Sequence, residues 1–366
     1  MKYFKMLAIT SATAIILAGC SFGKESEETA FYEDGTVSYE DLGIAPIAGQ
    51  LSHEELEVYE ALWEGAEELE AEIVFPYKIS GAEYARLFNL LEKQEPEFFQ
   101  LNQSYYVADE MSSAKMDYKI LDHAELESMR HELEKIKETI LCQIPSDADD
   151  YDKLLWIHDY IAENCVYEVT EDGVSAYECL VGGVAHCEGY AKAFMYLARA
   201  LGYDCVLVTG IDHNDINHAW NQVKIGDEWY NVDVTWDDTD DENEVRHTYF
   251  LRSDEFFATQ HFADKEYFKP AECETEKRSY YNKNDLVITV MDDAERILNR
   301  ELASGAEFLE IGFSDLQAYD EFHEQYLVDS RYFEIAKTHG YPVEKVILNV
   351  QEHRDELCME IYFEVK

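Results

Sequence analysis

Between residues 187 and 201 the chain carries an apolar stripe: after Cys187 come Tyr190, Ala191, Phe194, Leu197, Ala198 and Leu201. Offsets of three, four, seven, ten, eleven and fourteen put these side chains on one face of a helix with 3.6 residues per turn. Such a helix must lie on an apolar surface. Gly189, Ala191, Ala193 and Ala198 are small enough to let it lie close, as packing on a sheet requires. Leu201-Gly202 stops the helix, and three strand-like segments follow at 204–210, 218–225 and 228–236. The expected fold is therefore α+β, a helix packed on an antiparallel sheet, with Cys187 at the helix start on the packed side.

A thiol at a helix N-terminus is biased toward thiolate by the free backbone N–H groups and the positive end of the helix dipole. A nucleophilic thiol also needs a base, and the base needs an orienting group. The hairpin offers both. If Gly226-Asp227 forms a two-residue turn, paired residue numbers sum to 453, so Trp220 faces Asp233 and His218 faces Thr235. His218 and Asp233 are then diagonal neighbours on one face, roughly 7–8 Å apart at the backbone, within reach of an imidazole and a carboxylate. Three other histidines compete less well: His213 lies in a polar loop, His186 is expected to point away around the helix start, and His158 belongs to the preceding helix, 150–164. Gly182-Gly183 lets the chain turn in tightly ahead of Cys187.

Three segments then carry a resemblance: Gly183-Val184-Ala185-His186-Cys187-Glu188-Gly189-Tyr190-Ala191-Lys192-Ala193-Phe194, His218-Ala219-Trp220-Asn221, and Tyr230-Asn231-Val232-Asp233-Val234-Thr235-Trp236-Asp237. Together they resemble the transglutaminase-like superfamily of papain-like thiol enzymes, most strongly over residues 151–238. The resemblance implies a core in which the helix bearing the cysteine packs on the antiparallel sheet bearing His and Asp. It implies Cys187 as nucleophile, His218 as base and Asp233 as orienting acid. The implied chemistry is attack on a peptide or carboxamide carbonyl to give a thioester. Water then completes hydrolysis, or an amine completes crosslinking, and a surface binding protein that keeps the fold without turnover is the alternative from another class. The Cys187 N–H is one expected oxyanion donor; for the second, Tyr177 is a candidate, with packing as its other reading. His186 and the polar loop around His213 depart from the usual family pattern. No cofactor and no metal are expected, since the acidic run 237–242 lacks the spacing and glycine of a calcium loop.

The amino terminus reads as a targeting segment. Lys2 and Lys5 precede a mostly apolar stretch at 6–17, too short to span a bilayer, and Leu17-Ala18-Gly19-Cys20 follows. These four residues resemble a bacterial lipobox, which implies cleavage before Cys20, lipid attachment to its sulfur and anchoring on the extracytoplasmic face of the membrane. Loss of the two lysines takes the formal charge from −49 to −51. With 29 Lys and Arg against 78 Asp and Glu, a phosphate-binding surface has little to build on, so nucleic acid is excluded as a partner and a protein or peptide substrate is expected. Seven cysteines remain after Cys20, at 142, 165, 179, 187, 205, 273 and 358; their spacing is neither a disulfide scaffold nor a zinc motif, and most are expected buried and reduced.

The expected organisation is a signal peptide at 1–19, an acidic solvated tether at 20–50, an N-terminal α+β region at 51–146, a catalytic domain at 147–275 and a C-terminal α+β module at 280–366. In the first α+β region a capping box at Ser52-His53-Glu54-Glu55 opens a helix, and further helices are expected at 82–93 and 124–141, with strands at 98–107 and 116–121. The C-terminal module reads as strand 286–290, helix 292–302, strand 308–313, a helical stretch from 315, and strands 345–350 and 359–365.

Overall fold

Ser52 opens the first described helix through a reciprocal cap: its side chain accepts from the Glu55 N–H at 3.2 Å, and Glu55 accepts from the Ser52 N–H at 2.8 Å. In this computed structural model the described residues are 42–170, 173–239, 245–341 and 346–365; the leader, Lys2, Lys5 and Cys20 lie outside them. Helix α1 (His53–Glu67) is followed by β1 (Glu72–Ser80), α2 (Gly81–Gln94), which begins with the same box at Ser80 and Glu83, and β2 (Glu110–Lys115). The strands expected at 98–107 and 116–121 do not form. Phe98, Phe99 and Leu101 are buried as core side chains, and pairing instead joins β1 to β2 as an antiparallel ribbon, irregular between Val74 and Ile79, where Pro76 lies. The tether also ends earlier than expected. Leu42, Ile44 and Ile47 are buried against this region, and 45–50 is a short helical turn, because these apolar side chains find a surface to cover.

The central region runs α3 (His123–Leu141), α4 (Asp150–Asn164), β3 (Val166–Tyr167), β4 (Val184–Ala185), α5 (Cys187–Ala200), β5 (Cys205–Asp212), β6 (Asn217–Ile225), β7 (Glu228–Val232), α6 (Val234–Asp237), α7 (Asp254–Phe257) and β8 (His261–Ala263). Its antiparallel sheet has the order β7-β6-β5-β8. The β6–β7 pairs run from Asn221 with Val232 to Ile225 with Glu228, every pair summing to 453, so the two-residue turn sets the register the sequence implies. The third strand is shorter than expected. It stops at Val232, and Asp233 instead caps α6.

Helix α5 lies on one face of this sheet, sharing a core with α3, α4 and residues such as Leu207, Ala219 and Val223. The buried Asn221 side chain donates from β6 to the Ala191 carbonyl at 3.0 Å, pinning helix to strand. The other face carries Val206, Val208 and Trp220, and these join the core of α1 and α2. This sheet is thus covered on both sides. Leu126, Leu133 and Ile140 of α3 belong to the α5 core although they precede residue 146, so packing runs across that position.

The last region contains α8 (Tyr280–Lys283), β9 (Val287–Ile288), α9 (Met291–Ser304), β10 (Phe308–Phe313), α10 (Leu316–Phe322), α11 (Arg331–Thr338), β11 (Val346–His353) and β12 (Cys358–Val365). Its sheet order is β11-β12-β10-β9, in which the β10–β9 pair is parallel and the other two pairs are antiparallel. Ile297, Phe322, Tyr332 and Ile361 centre a third core. The helical stretch from 315 is broken into α10, a wide turn at 323–328 and α11, the break falling where Ser330 adopts a left-handed conformation. The seven described cysteines are all free: Cys142 is exposed, Cys187 half-buried and the rest buried. No helix among the described residues is long and apolar enough to cross a membrane.

Candidate active site

Cys187 is the first residue of α5, and no side chain caps that helix, so its opening N–H groups are left to act on the sulfur and on whatever binds there. The approach is fixed by backbone. Strands β3 and β4 pair in parallel, Gly183 turns with φ +71°, and the His186 N–H donates to the Gly173 carbonyl at 2.9 Å. Gly189 is required in the first turn: a Cβ there would stand 2.6 Å from the Gly173 oxygen and 2.7 Å from the Ala185 side chain. The residue that looked suited to packing on the sheet thus serves close approach of the loop behind the nucleophile.

His218 is the second residue of β6, and Asp233 follows the end of β7. Asp233 Oδ1 accepts from the Trp236 N–H at 3.2 Å, which caps α6 and fixes the carboxylate; Oδ2 then lies 2.6 Å from His218 Nε2. The same oxygen lies 2.9 Å from Nε2 of His261, a residue the sequence reading did not single out. An ionised carboxylate only accepts hydrogen bonds, so both imidazoles present Nε2–H to it. That leaves Nδ1 of His218 as the nitrogen able to serve the thiol. Trp220, Trp236 and Phe257 wall in the histidines, His261 lying 4.3 Å from the Phe257 ring and 4.4 Å from that of Trp236.

The electrostatics follow from burial and these contacts. Burial raises the Cys187 thiol, but hydrogen bonds from His186 and His218 and the charge of His218 outweigh it and bring the thiol down to about 7. Burial lowers His218, yet the charge and hydrogen bond of Asp233 dominate and hold it up at about 10. Burial opposes ionisation of Asp233 too, and the two histidines, His218 foremost, keep it well below the usual carboxylate range. Between about pH 7 and 10 the favoured state is a thiolate–imidazolium pair, titrating as a unit. Burial lowers His261 against the opposing pull of Asp233, so it stays a neutral donor.

Cys187 and His218 open onto a cavity of about 880 Å³, whose walls include the exposed apolar side chains Val169, Ile216 and Phe262 together with Tyr167. His186 does not point away. Its Nδ1 lies 3.9 Å from the sulfur, because the extended backbone ahead of α5 swings the ring into the same cavity. Gln103 also lines it, with Nε2 donating to Glu188 at 2.9 Å. Tyr177 does not reach the site: its hydroxyl donates to Glu132 on α3 at 2.8 Å and its ring packs on Phe99. His213 lies beside Trp236 in its loop, and His158 is held by other carboxylates. Beneath the nucleophile, Lys192 and Lys93 are locked to Glu92 and Glu188 at 2.6–2.9 Å, so these cations are neutralised in place.

Residues 140–234, which include Cys187, His218 and Asp233, match the transglutaminase-like superfamily. This segment is a transglutaminase-like domain. A curated relative, Kyphoscoliosis peptidase of Mus musculus, is 28% identical over 27% of this chain and 18% of its own length; the chain thus spans under a fifth of that relative. Among solved structures, a candidate cysteine protease from Cytophaga hutchinsonii overlays at 25% identity and TM-score 0.26, covering 28% of this chain and 37% of the other. A structure described as a TGase overlays at 14% identity and TM-score 0.29, covering 47% and 52%. In this transglutaminase-like segment Cys187 and His218 share one cavity and His218 is paired with Asp233, beside a sheet covered on both faces.

Proposed function

We propose that this protein is a lipid-anchored, extracytoplasmic thiol enzyme that hydrolyses peptide or side-chain amides through a thioester on Cys187. The observation that carries the reading is Cys187 and His218 side by side on the wall of one open cavity, with His218 Nε2 2.6 Å from Asp233 and the thiol lowered to about 7 under the influence of both neighbouring histidines. In the first half-reaction the thiolate attacks the carbonyl carbon and a C–S bond forms. The oxyanion is met by the N–H groups at the start of α5. As the C–N bond breaks, the His218 imidazolium gives its Nδ1 proton to the departing amine. In the second half, neutral His218 takes a proton from water, the hydroxide adds to the thioester carbonyl, and the C–S bond breaks to return the thiolate and a carboxylic acid. Asp233 holds the ring and its tautomer throughout, a positioning role.

A peptide-library digest read by mass spectrometry tests the activity. New carboxyl termini or deamidated side chains that vanish in Cys187→Ala are expected. Amine-dependent crosslinks without hydrolysis would assign crosslinking instead, and neither product would sink the enzyme reading. The anchor rests on Leu17-Ala18-Gly19-Cys20 and is tested separately: Cys20→Ser should leave the membrane fraction or remain unprocessed, and a correctly cleaved, membrane-retained variant would overturn it.

A further inference from the structure

Behind the catalytic sheet, α4 brings His158 and Asp159 against His247 of the loop after α6, and β10 contributes Glu310. His158 is fully buried; its Nε2 lies 3.1 Å from Asp237 Oδ2 and its Nδ1 2.9 Å from Asp159 Oδ1. His247 repeats the arrangement with the nitrogens exchanged: Nδ1 is 2.6 Å from Glu310 Oε2, and Nε2 is 3.1 Å from the same Asp159 oxygen. Each imidazole thus gives one nitrogen to a buried carboxylate and turns the other toward Asp159.

That pattern sets up a conflict. A neutral imidazole has one N–H, and the buried carboxylates Asp237 and Glu310 each claim one. The remaining nitrogen lone pairs then face a carboxylate oxygen that offers only lone pairs. Either a second proton on each ring, which the surrounding carboxylates favour, or one metal cation shared by the three inner atoms satisfies them. Carboxylates that orient the far nitrogens of two histidines are the outer shell that metal-bound imidazoles ordinarily have. The three inner atoms lie within 4.8 Å of one another. Tetrahedral zinc needs ligand atoms roughly 3.3–3.5 Å apart, so the oxygen–nitrogen separations of 2.9 and 3.1 Å have to widen by a few tenths of an ångström and the two nitrogens, within 4.8 Å of each other, have to settle at the same spacing. Asp159 is about one-third exposed (34%), which leaves an entry path and room for water as a fourth ligand. Two nitrogens and one oxygen suit zinc, whereas calcium and magnesium take oxygen ligands in larger number. Tyr280 stacks on His247 at 4.0 Å and Phe250 meets His158 edge-on at 5.0 Å, giving the site apolar walls.

We propose that His158, Asp159 and His247 form a structural zinc site that fastens the C-terminal core to the back of the catalytic domain. The fastening runs through Glu310 on one side. On the other it runs through Asp237, the last residue of the helix that Asp233 caps.

The test uses the full chain carrying Cys187→Ala, so that no reactive thiolate competes for metal, stripped with chelator and dialysed against Zn²⁺ or, as a spectroscopic probe, Co²⁺. One equivalent retained is expected, with a Co²⁺ visible band of four- or five-coordinate intensity and no thiolate charge-transfer band. Asp159→Asn keeps the size and a hydrogen-bonding group at a half-exposed position; it should weaken metal binding at least tenfold and abolish the Zn²⁺-dependent rise in melting temperature. His247→Gln should do the same, and if it fails to fold by circular dichroism, Asp159→Asn decides alone. Retention below a tenth of an equivalent would overturn the proposal. So would a Co²⁺ band unchanged by Asp159→Asn but lost in His261→Gln, which would place the metal on the catalytic histidines.

Discussion

At the scale of single residues, the thiol lowered to about 7 and the imidazole held at about 10 fix a pH window. Cys187 must be deprotonated and His218 protonated, so the amide-cleaving rate should rise through about pH 7 and fall through about 10. Alkylation of Cys187 by iodoacetamide should show the same lower limb. In His218→Gln the thiol should rise from about 7, with His186 still holding it down in part. The thiolate fraction at pH 7 then drops, but the more basic thiolate is intrinsically more reactive, so the measured rate should fall only about two- to fivefold. An unchanged alkylation profile would separate the two residues. His261 adds a second donor to Asp233. His261→Phe should lower kcat/KM about tenfold, the loss of one charge-assisted hydrogen bond, and raise the alkylation midpoint, while His261→Gln, which keeps a donor, should recover most of both. Equal loss in both variants, with no shift of the midpoint, would reduce His261 to a packing residue.

At the scale of elements, β8 carries His261 and runs so close to β5 that a Cβ on Gly210 would stand 2.2 Å from the Phe262 carbonyl oxygen. Gly210→Ala should therefore push β8 outward, cost about 1–3 kcal/mol in a urea melt and lower kcat/KM further than its stability loss explains. Normal activity in a destabilised variant would show that β8 need not sit close. Elements also show why parts of the fold were legible. Gly226-Asp227 fixes a two-residue turn, and from it alone the pairing of Asn221 with Val232 and the nearness of His218 to Asp233 follow. The end of β7 was not legible, because the same Asp233 side chain that serves the imidazole also caps α6, and alternation in the sequence runs on past it. β1 was hidden by Pro76, and the aromatic run at 98–101 imitated a strand because core side chains and strand side chains draw on the same residue types. His261 reaches Asp233 from 28 positions away, and His247 meets Asp159 from 88; no local pattern encodes such meetings.

At the scale of the whole molecule, the segment that matches a family is smaller than the body that folds. Expressed alone, residues 147–275 would bare Val206, Val208 and Trp220 on one side and lose the α3 cover on the other. That fragment should be aggregated or molten by sedimentation and near-UV circular dichroism, and restoring 42–146 should return a monodisperse, cooperatively melting protein. A well-folded 147–275 fragment would contradict the shared cores. The same shared face has a consequence in time. Helix α2 leaves the ribosome about 110 residues ahead of β5, whose outer side chains it is to cover. At synthesis rates of about 5–20 residues per second, its β5-facing side waits roughly 6–22 s, while α1 and β1 are already at hand to cover the rest. The core of the first region can start to assemble at once, but it closes only when β5 has been made.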